Sequence, residues 1–151
     1  MCTDCHQFTE NDGELDMKIT GTCHCGDIKY EAEVNEKSAL ICHCTDCQKL
    51  SGSAYRTVVM SKVNGFTLLT GQPKEYIKIA ESGNKRAQGF CQNCGSALYA
   101  TNVTNTDRVY GIRTGTVDQK EQLRPSKQIW CRSALSWIDE IGEIEKFEVM
   151  P

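Results

Sequence analysis

No apolar run in this 151-residue chain approaches the roughly 18 residues that a membrane-spanning helix requires, so insertion in a bilayer is not expected. Blocks of like charge are missing as well. The 17 basic and 20 acidic side chains leave a net charge of −3, without the basic stripe that nucleic-acid binding needs. Lys and Arg are absent from residues 1–16, which instead carry Asp4, Glu10, Asp12, Glu14 and Asp16. A secretory signal has a positive start and an apolar stretch, and neither is present. The expected setting is therefore the reducing cytoplasm, where clustered cysteines serve as metal ligands or catalytic thiols rather than as disulfides. Solenoid repeats, low-complexity tracts and linkers are absent too, and the length fits one domain.

Residues 1–16 read as a flexible acidic leader and 17–151 as a single domain. Met17 could even serve as an alternative start. Ile28, Tyr30, Ala32 and Val34 share one parity, the mark of a half-buried strand. Further β-like runs are Ala54–Met60, Phe66–Thr70, Glu75–Ala80, Ala97–Thr101, Arg108–Arg113, Gln128–Cys131 and Ile144–Val149. Glycines punctuate them, as in antiparallel structure with many turns. Helical pieces are expected only near Asp46–Leu50 and Asp118–Leu123. The fold class is mainly β.

What the chain does have is ten cysteines, and their grouping carries chemistry. They fall as Cys2 and Cys5; Cys23 and Cys25; Cys42, Cys44 and Cys47; Cys91 and Cys94; and Cys131. In a C-x-C on extended backbone both sulfurs point the same way and the residue between points away. A C-x-x-C in a tight turn also converges two sulfurs, and Asn93 and Gly95 suit such a turn. The seven thiols of the three middle clusters divide into four plus three. Four thiolates make a closed structural zinc site, and three plus an open position is the catalytic arrangement. Cys42, Cys44 and Cys47 are the contiguous set of three, leaving Cys23, Cys25, Cys91 and Cys94 to close the other site. Spacing also permits Cys42-x-Cys44 to join Cys91 and Cys94, or one zinc with spare buried thiols. A thioredoxin-like Cys91–Cys94 pair would need a βαβ pattern, which is absent.

The segments Gly21-Thr-Cys-His-Cys-Gly-Asp-Ile-Lys-Tyr30, Cys42-His-Cys-Thr-Asp-Cys-Gln-Lys-Leu-Ser-Gly52 and Phe90-Cys-Gln-Asn-Cys-Gly-Ser96 resemble the glutathione-dependent formaldehyde-activating enzyme family, which also includes centromere protein V-like proteins. The resemblance runs from about Met17 to Trp137. It implies a β-tent fold of several small antiparallel sheets around zinc sites, shared in outline with methionine-R-sulfoxide reductases. It assigns Cys23, Cys25, Cys91 and Cys94 to the structural zinc and Cys42, Cys44 and Cys47 to the catalytic one. It also implies a carbon–sulfur lyase acting on adducts of glutathione, or a similar small thiol, with formaldehyde or another small aldehyde. One departure is Gln128, where the family often has His just before Ile129.

Zinc bound by three thiolates is a soft centre that accepts a fourth sulfur readily. A thiol landing there would lose its proton, and beside a small carbonyl it would form a hemithioacetal. The open position could leave this second zinc labile. No carboxylate pair or nucleophile–base dyad stands out. Alternation turns His43 away from the metal. His24 reads as a surface residue, and His6 with Cys2 and Cys5 as no defined site. Cys131 reads as a buried structural thiol, although a late cysteine is the nucleophile of methionine-R-sulfoxide reductases. Trp130 and Trp137 read as core. Lys49, Tyr55 and Arg56 follow the catalytic cluster and could line a pocket for an acidic thiol. Two other functions compete: a non-enzymatic zinc module working through protein contacts, and a methionine-R-sulfoxide reductase.

Overall fold

A computed structural model describes residues 16–150, so Cys2, Cys5 and His6 lie outside the described residues. The mainly β, antiparallel architecture expected from the sequence is the one observed. Its elements are β1 (Asp16–Thr22), β2 (Lys29–Asn35), β3 (Leu40–Cys42), α1 (Thr45–Ser51), β4 (Arg56–Thr70), β5 (Lys74–Ile79), β6 (Lys85–Phe90), β7 (Ala97–Asn102), β8 (Gly111–Arg113) and β9 (Lys127–Ile129). The strand order is β1-β2-β4-β8-β7-β6-β5, with β3 held between β4 and β9. Only β3–β9 is parallel among these pairings.

The runs Ala54–Met60 and Phe66–Thr70 form a single strand, β4, of 15 residues. Asn64 adopts a left-handed φ of 54°, a conformation that Asn tolerates better than most residues. The ladder to β2 slips beside it, between Ala32 and Val34. The early part of β4 pairs with β3 and β8, and the later part with β2. One strand thereby joins three ladders.

Other elements depart from expectation. The run Ile144–Val149 forms no strand, and Ile144, Phe147 and Val149 are exposed. Residues 118–123 form only a 3-10 turn at Lys120–Gln122. Strands β1, β3 and β6 carry too little apolar alternation to stand out. In β6 the buried positions are Ala87 and Gly89, whose small side chains leave no hydrophobic pattern to read.

Period-two alternation gives the central sheet two faces. Val59, Ile112 and Tyr99 are register neighbours across β4, β8 and β7. They join Ile19, Tyr30 and Val34 in the core. Phe66 stacks on Tyr30 and Tyr110 with ring centroids 5.1 and 4.5 Å apart. Full burial of a large apolar side chain contributes about 1.5–3 kcal/mol. The opposite parity faces a cavity. One row there is Leu40, Val58 and Arg113, and the next is Met60, Gly111, Ala100 and Gln88.

Tyr30 fits only because residue 21 lacks a side chain. A Cβ at Gly21 would lie 2.2 Å from Tyr30 Cζ and 2.7 Å from the Thr116 carbonyl oxygen. Tyr30 is fully buried and its hydroxyl bonds Thr116 Oγ1 at 2.7 Å, so the ring cannot yield cheaply. Gly21→Ala should cost about 1–3 kcal/mol, the usual penalty for overpacking. Urea unfolding measures this, and an unchanged midpoint would contradict the packing described.

Candidate metal centres

Two turns bring the first four thiols together. Cys23 and Cys25 lie in the connection between β1 and β2, and Cys91 and Cys94 in the one between β6 and β7. The first pair was expected on extended backbone, but it sits in a tight turn. There the Cys23 N–H donates to the Ile28 carbonyl at 3.1 Å, the Gly26 N–H donates to the Cys23 carbonyl at 3.1 Å, and Gly26 has φ of 86°. The second pair forms the expected turn, with the Gly95 N–H donating to the Cys91 carbonyl at 2.8 Å. The His24 N–H donates to Ser96 Oγ at 3.0 Å, tying one turn to the other.

The sulfurs of these four residues lie within 4.8 Å of one another. Cys25 Sγ is 3.5 Å from Cys23 Sγ and 3.7 Å from Cys91 Sγ. A disulfide needs about 2.05 Å. Four sulfurs at about 2.3 Å from a tetrahedral zinc would be roughly 3.8 Å apart. The donor set therefore fits a metal ion. Backbone amides supply further support, since the Ile28 N–H donates to Cys23 Sγ at 3.3 Å. The Ser96 hydroxyl and N–H hold the Cys94 thiol down to about 5, which favours the ligating thiolate.

The second group is Cys42, Cys44 and Cys47, whose sulfurs also lie within 4.8 Å of one another. Cys42 ends β3, Cys44 caps α1, and Cys47 lies in its first turn. Cys44 has extended backbone with ψ of 151°, and its sulfur accepts the Cys47 N–H at 3.3 Å. The helix expected at Asp46–Leu50 is thus present, and it stops where Gly52 turns left-handed with φ of 64°. Cys47 holds the Cys42 thiol below its ordinary pKa, while the same contact pushes Cys47 up. Thiols so close cannot all ionise unless a cation offsets their repulsion.

His43 turns inward, as alternation requires. It is 1% exposed. Its Nε2 lies 2.7 Å from Gln128 Oε1, so the Nε2–H donates to that amide oxygen. The Tyr55 ring meets it edge-on at 5.7 Å. The Gln48 side-chain amide donates to the His43 carbonyl at 3.0 Å and to the Ser133 carbonyl at 2.9 Å. His43 thus braces the three-thiol segment from behind, and Gln128 is its partner.

The three thiols open onto a cavity of about 520 Å³, and the four-thiol group does not line it. Arg56, Arg86 and Arg113 do. Burial pulls the Arg113 pKa down to about 9, with the nearby Arg56 charge adding to the effect. Burial lowers Arg56 and Arg86 as well. Sequence reasoning found Arg56 but missed Arg86, Gln88 and Arg113, which reach the cavity from distant strands. Tyr55 and Lys49 do not line it. Trp130 does, but it is 42% exposed, left-handed with φ of 58°, and carries the Arg132 guanidinium 4.7 Å above its ring. Trp137 is 50% exposed. Neither tryptophan is the core residue expected. Cys131 is exposed rather than buried and stays outside the cavity lining. His24 is exposed, as expected.

Fold and site define a β-sheet protein with two thiol clusters able to hold metal, one packed beside the core and one opening on a cavity. The model of the glutathione-dependent formaldehyde-activating enzyme family matches residues 18–133, and the chain belongs to that family. A solved structure of a Rhodobacter sphaeroides protein is similar in fold. It is 18% identical, covers 72% of this chain and 98% of that chain, and superposes with a TM-score of 0.55. No curated protein matches the sequence. No helix among the described residues is long and apolar enough to cross a membrane.

Gln128→Leu would leave the buried His43 ring without its recorded partner. An orphaned buried donor costs about 1–3 kcal/mol, so the variant should unfold at correspondingly lower denaturant. Unchanged stability would show that the Gln128 bond is not made in solution.

Proposed function

We propose that this chain is a zinc-dependent carbon–sulfur lyase acting on adducts of glutathione, or a similar small thiol, with a small aldehyde such as formaldehyde. The observation that carries the reading is the opening of Cys42, Cys44 and Cys47 onto a cavity. A purely structural site has no need of such access, so a non-enzymatic zinc module of the same fold is the weaker reading. In this proposal Cys23, Cys25, Cys91 and Cys94 hold a structural zinc, and Cys42, Cys44 and Cys47 hold a second, more labile one. Both belong to one zinc domain over 17–151, working in the reducing cytoplasm, which keeps such thiols free.

When bound, the second zinc would supply a soft position that takes the substrate sulfur as thiolate. The protein's own residues do the rest. Cys42, Cys44 and Cys47 hold that position at the mouth of α1. His43 and Gln128 fix the Cys42–Cys44 backbone from behind rather than moving a proton to substrate. The cavity wall would bring the aldehyde carbon beside the sulfur. In the synthetic direction the thiolate sulfur bonds to the carbonyl carbon and the oxygen gains a proton. In the lyase direction that proton leaves, the C–S bond breaks, and thiol and aldehyde are released.

Metal analysis of the full chain should give two zinc ions. Cys44→Ser should lose one and stay folded. Structural zinc binding is worth about 10–16 kcal/mol, comparable to a domain's entire stability of about 5–15 kcal/mol, so Cys91→Ser should unfold or aggregate. One zinc in the wild type would contradict the two-site reading. Exchange NMR on formaldehyde plus glutathione should show faster adduct exchange with the zinc-loaded protein. No acceleration would remove this substrate pair.

A further inference from the structure

We propose that Arg56, Arg86 and Arg113 form an anion subsite in the wall of the thiol-lined cavity, which takes a carboxylate carried on the same small molecule as the reacting thiol. The thiol end of this statement rests on the lyase reading above. The anion end rests on the arginines alone.

The sheet register brings the three together. Arg56 is the antiparallel partner of Cys42, which puts their Cβ atoms about 4.5–5.5 Å apart. Arg113 is the partner of Val58, two residues along β4 on the same face. Gln88 and Arg86 are likewise two residues apart on β6, and both line the cavity. Alternation along three strands therefore presents three guanidiniums to the space into which Cys42 opens.

These are not ordinary surface charges. Arg56 is 6% exposed and Arg113 is 8% exposed. Arg56 Nη2 and Arg113 Nε are buried without a hydrogen-bond partner. The contact given to Arg113 is a neutral one, with Nη2 donating to Gln88 Oε1 at 2.8 Å. The two carboxylates that line the cavity are matched by two further cations of its wall, Lys78 and Arg132, and not by the three arginines. Asp46 pairs with Lys78, and Glu81 with Arg132. Buried cations held together without an anion are costly. Three thiolates around a divalent ion would carry one net negative charge, which leaves two of the three guanidiniums unbalanced. A ligand bringing a thiolate and a carboxylate supplies two negative charges. Planar guanidinium groups suit the bidentate geometry of a carboxylate. A neutral thiol would leave the arginines as they are.

The test is calorimetric binding of three probes to the zinc-loaded full chain: 3-mercaptopropanoate, 2-mercaptoethanol and propanoate. The carboxylate-bearing thiol should bind at least about tenfold tighter than the neutral one, the scale of one charge-assisted contact. Arg113→Gln and Arg56→Gln, each checked for fold and zinc content, should shrink that difference without weakening 2-mercaptoethanol. Equal binding of the two thiols by the wild type would overturn the proposal, and would mean that the arginines serve only the protein's own thiolates. Arginine-dependent binding of propanoate with no binding of either thiol would uphold the anion subsite and remove the lyase reading. No binding of any probe would remove both.

Discussion

Four sulfurs drawn from two turns meet at separations of 3.5 and 3.7 Å between neighbours, and much of the architecture follows from that meeting. One turn belongs to the β1–β2 hairpin and the other to β6–β7, elements from opposite halves of the strand order. Thiolates this close repel one another unless a cation sits between them. The backbone is shaped for the encounter, with left-handed Gly26 and Gly95 and with amides turned toward sulfur. Cys23, Cys91 and Cys94 also pack against the apolar core, so the cluster and the core support one another.

The central sheet then separates two tasks by parity. One face sends Val59, Ile112 and Tyr99 into the core. The other presents Arg56, Val58, Met60 and Arg113 to the cavity beside Cys42. A one-residue slip of β4 would exchange the two sets. That slip is opposed by two partners, because β3 fixes residues 56–58 of β4 and β8 fixes residues 58–60. The three-thiol segment is steadied in turn by β9, through the Ile129 carbonyl accepting the His43 N–H at 3.1 Å and through Gln128. Stability and site geometry are therefore carried by the same hydrogen bonds.

How much of this was legible depended on how local the signal was. The cysteine groups could be read because each lies within a few residues of chain, the pairs in turns and the triplet where β3 runs into α1, so spacing alone conveys convergence. One group was read with the wrong backbone: Cys23 and Cys25 meet in a turn rather than along a strand. Strand β2 declared itself through Tyr30, Ala32 and Val34. Strand β6 did not, because Ala87 and Gly89 are buried by being small, Gly89 to admit the Tyr99 ring. The apolar residues Ile144, Phe147 and Val149 pointed to a strand, yet they have no partner strand and stay exposed. The arginine cluster was the least legible. Arg56, Arg86 and Arg113 lie far apart in sequence, and only the pairing of four strands shows that they share one cavity. Gln128 stood out as a departure from the family pattern, but its role emerged only with the buried imidazole of His43 beside it.

The central proposal is that the two thiol groups hold zinc in different ways, one closed by four sulfurs and one left open by three. X-ray absorption at the zinc edge tests this directly. It should show sulfur at about 2.3 Å, averaging between three and four per zinc, with a minor light-atom shell. Adding a small thiol should raise the sulfur number to four and remove the light atom. A first shell dominated by nitrogen and oxygen, or a sulfur count that the thiol leaves unchanged, would contradict the account.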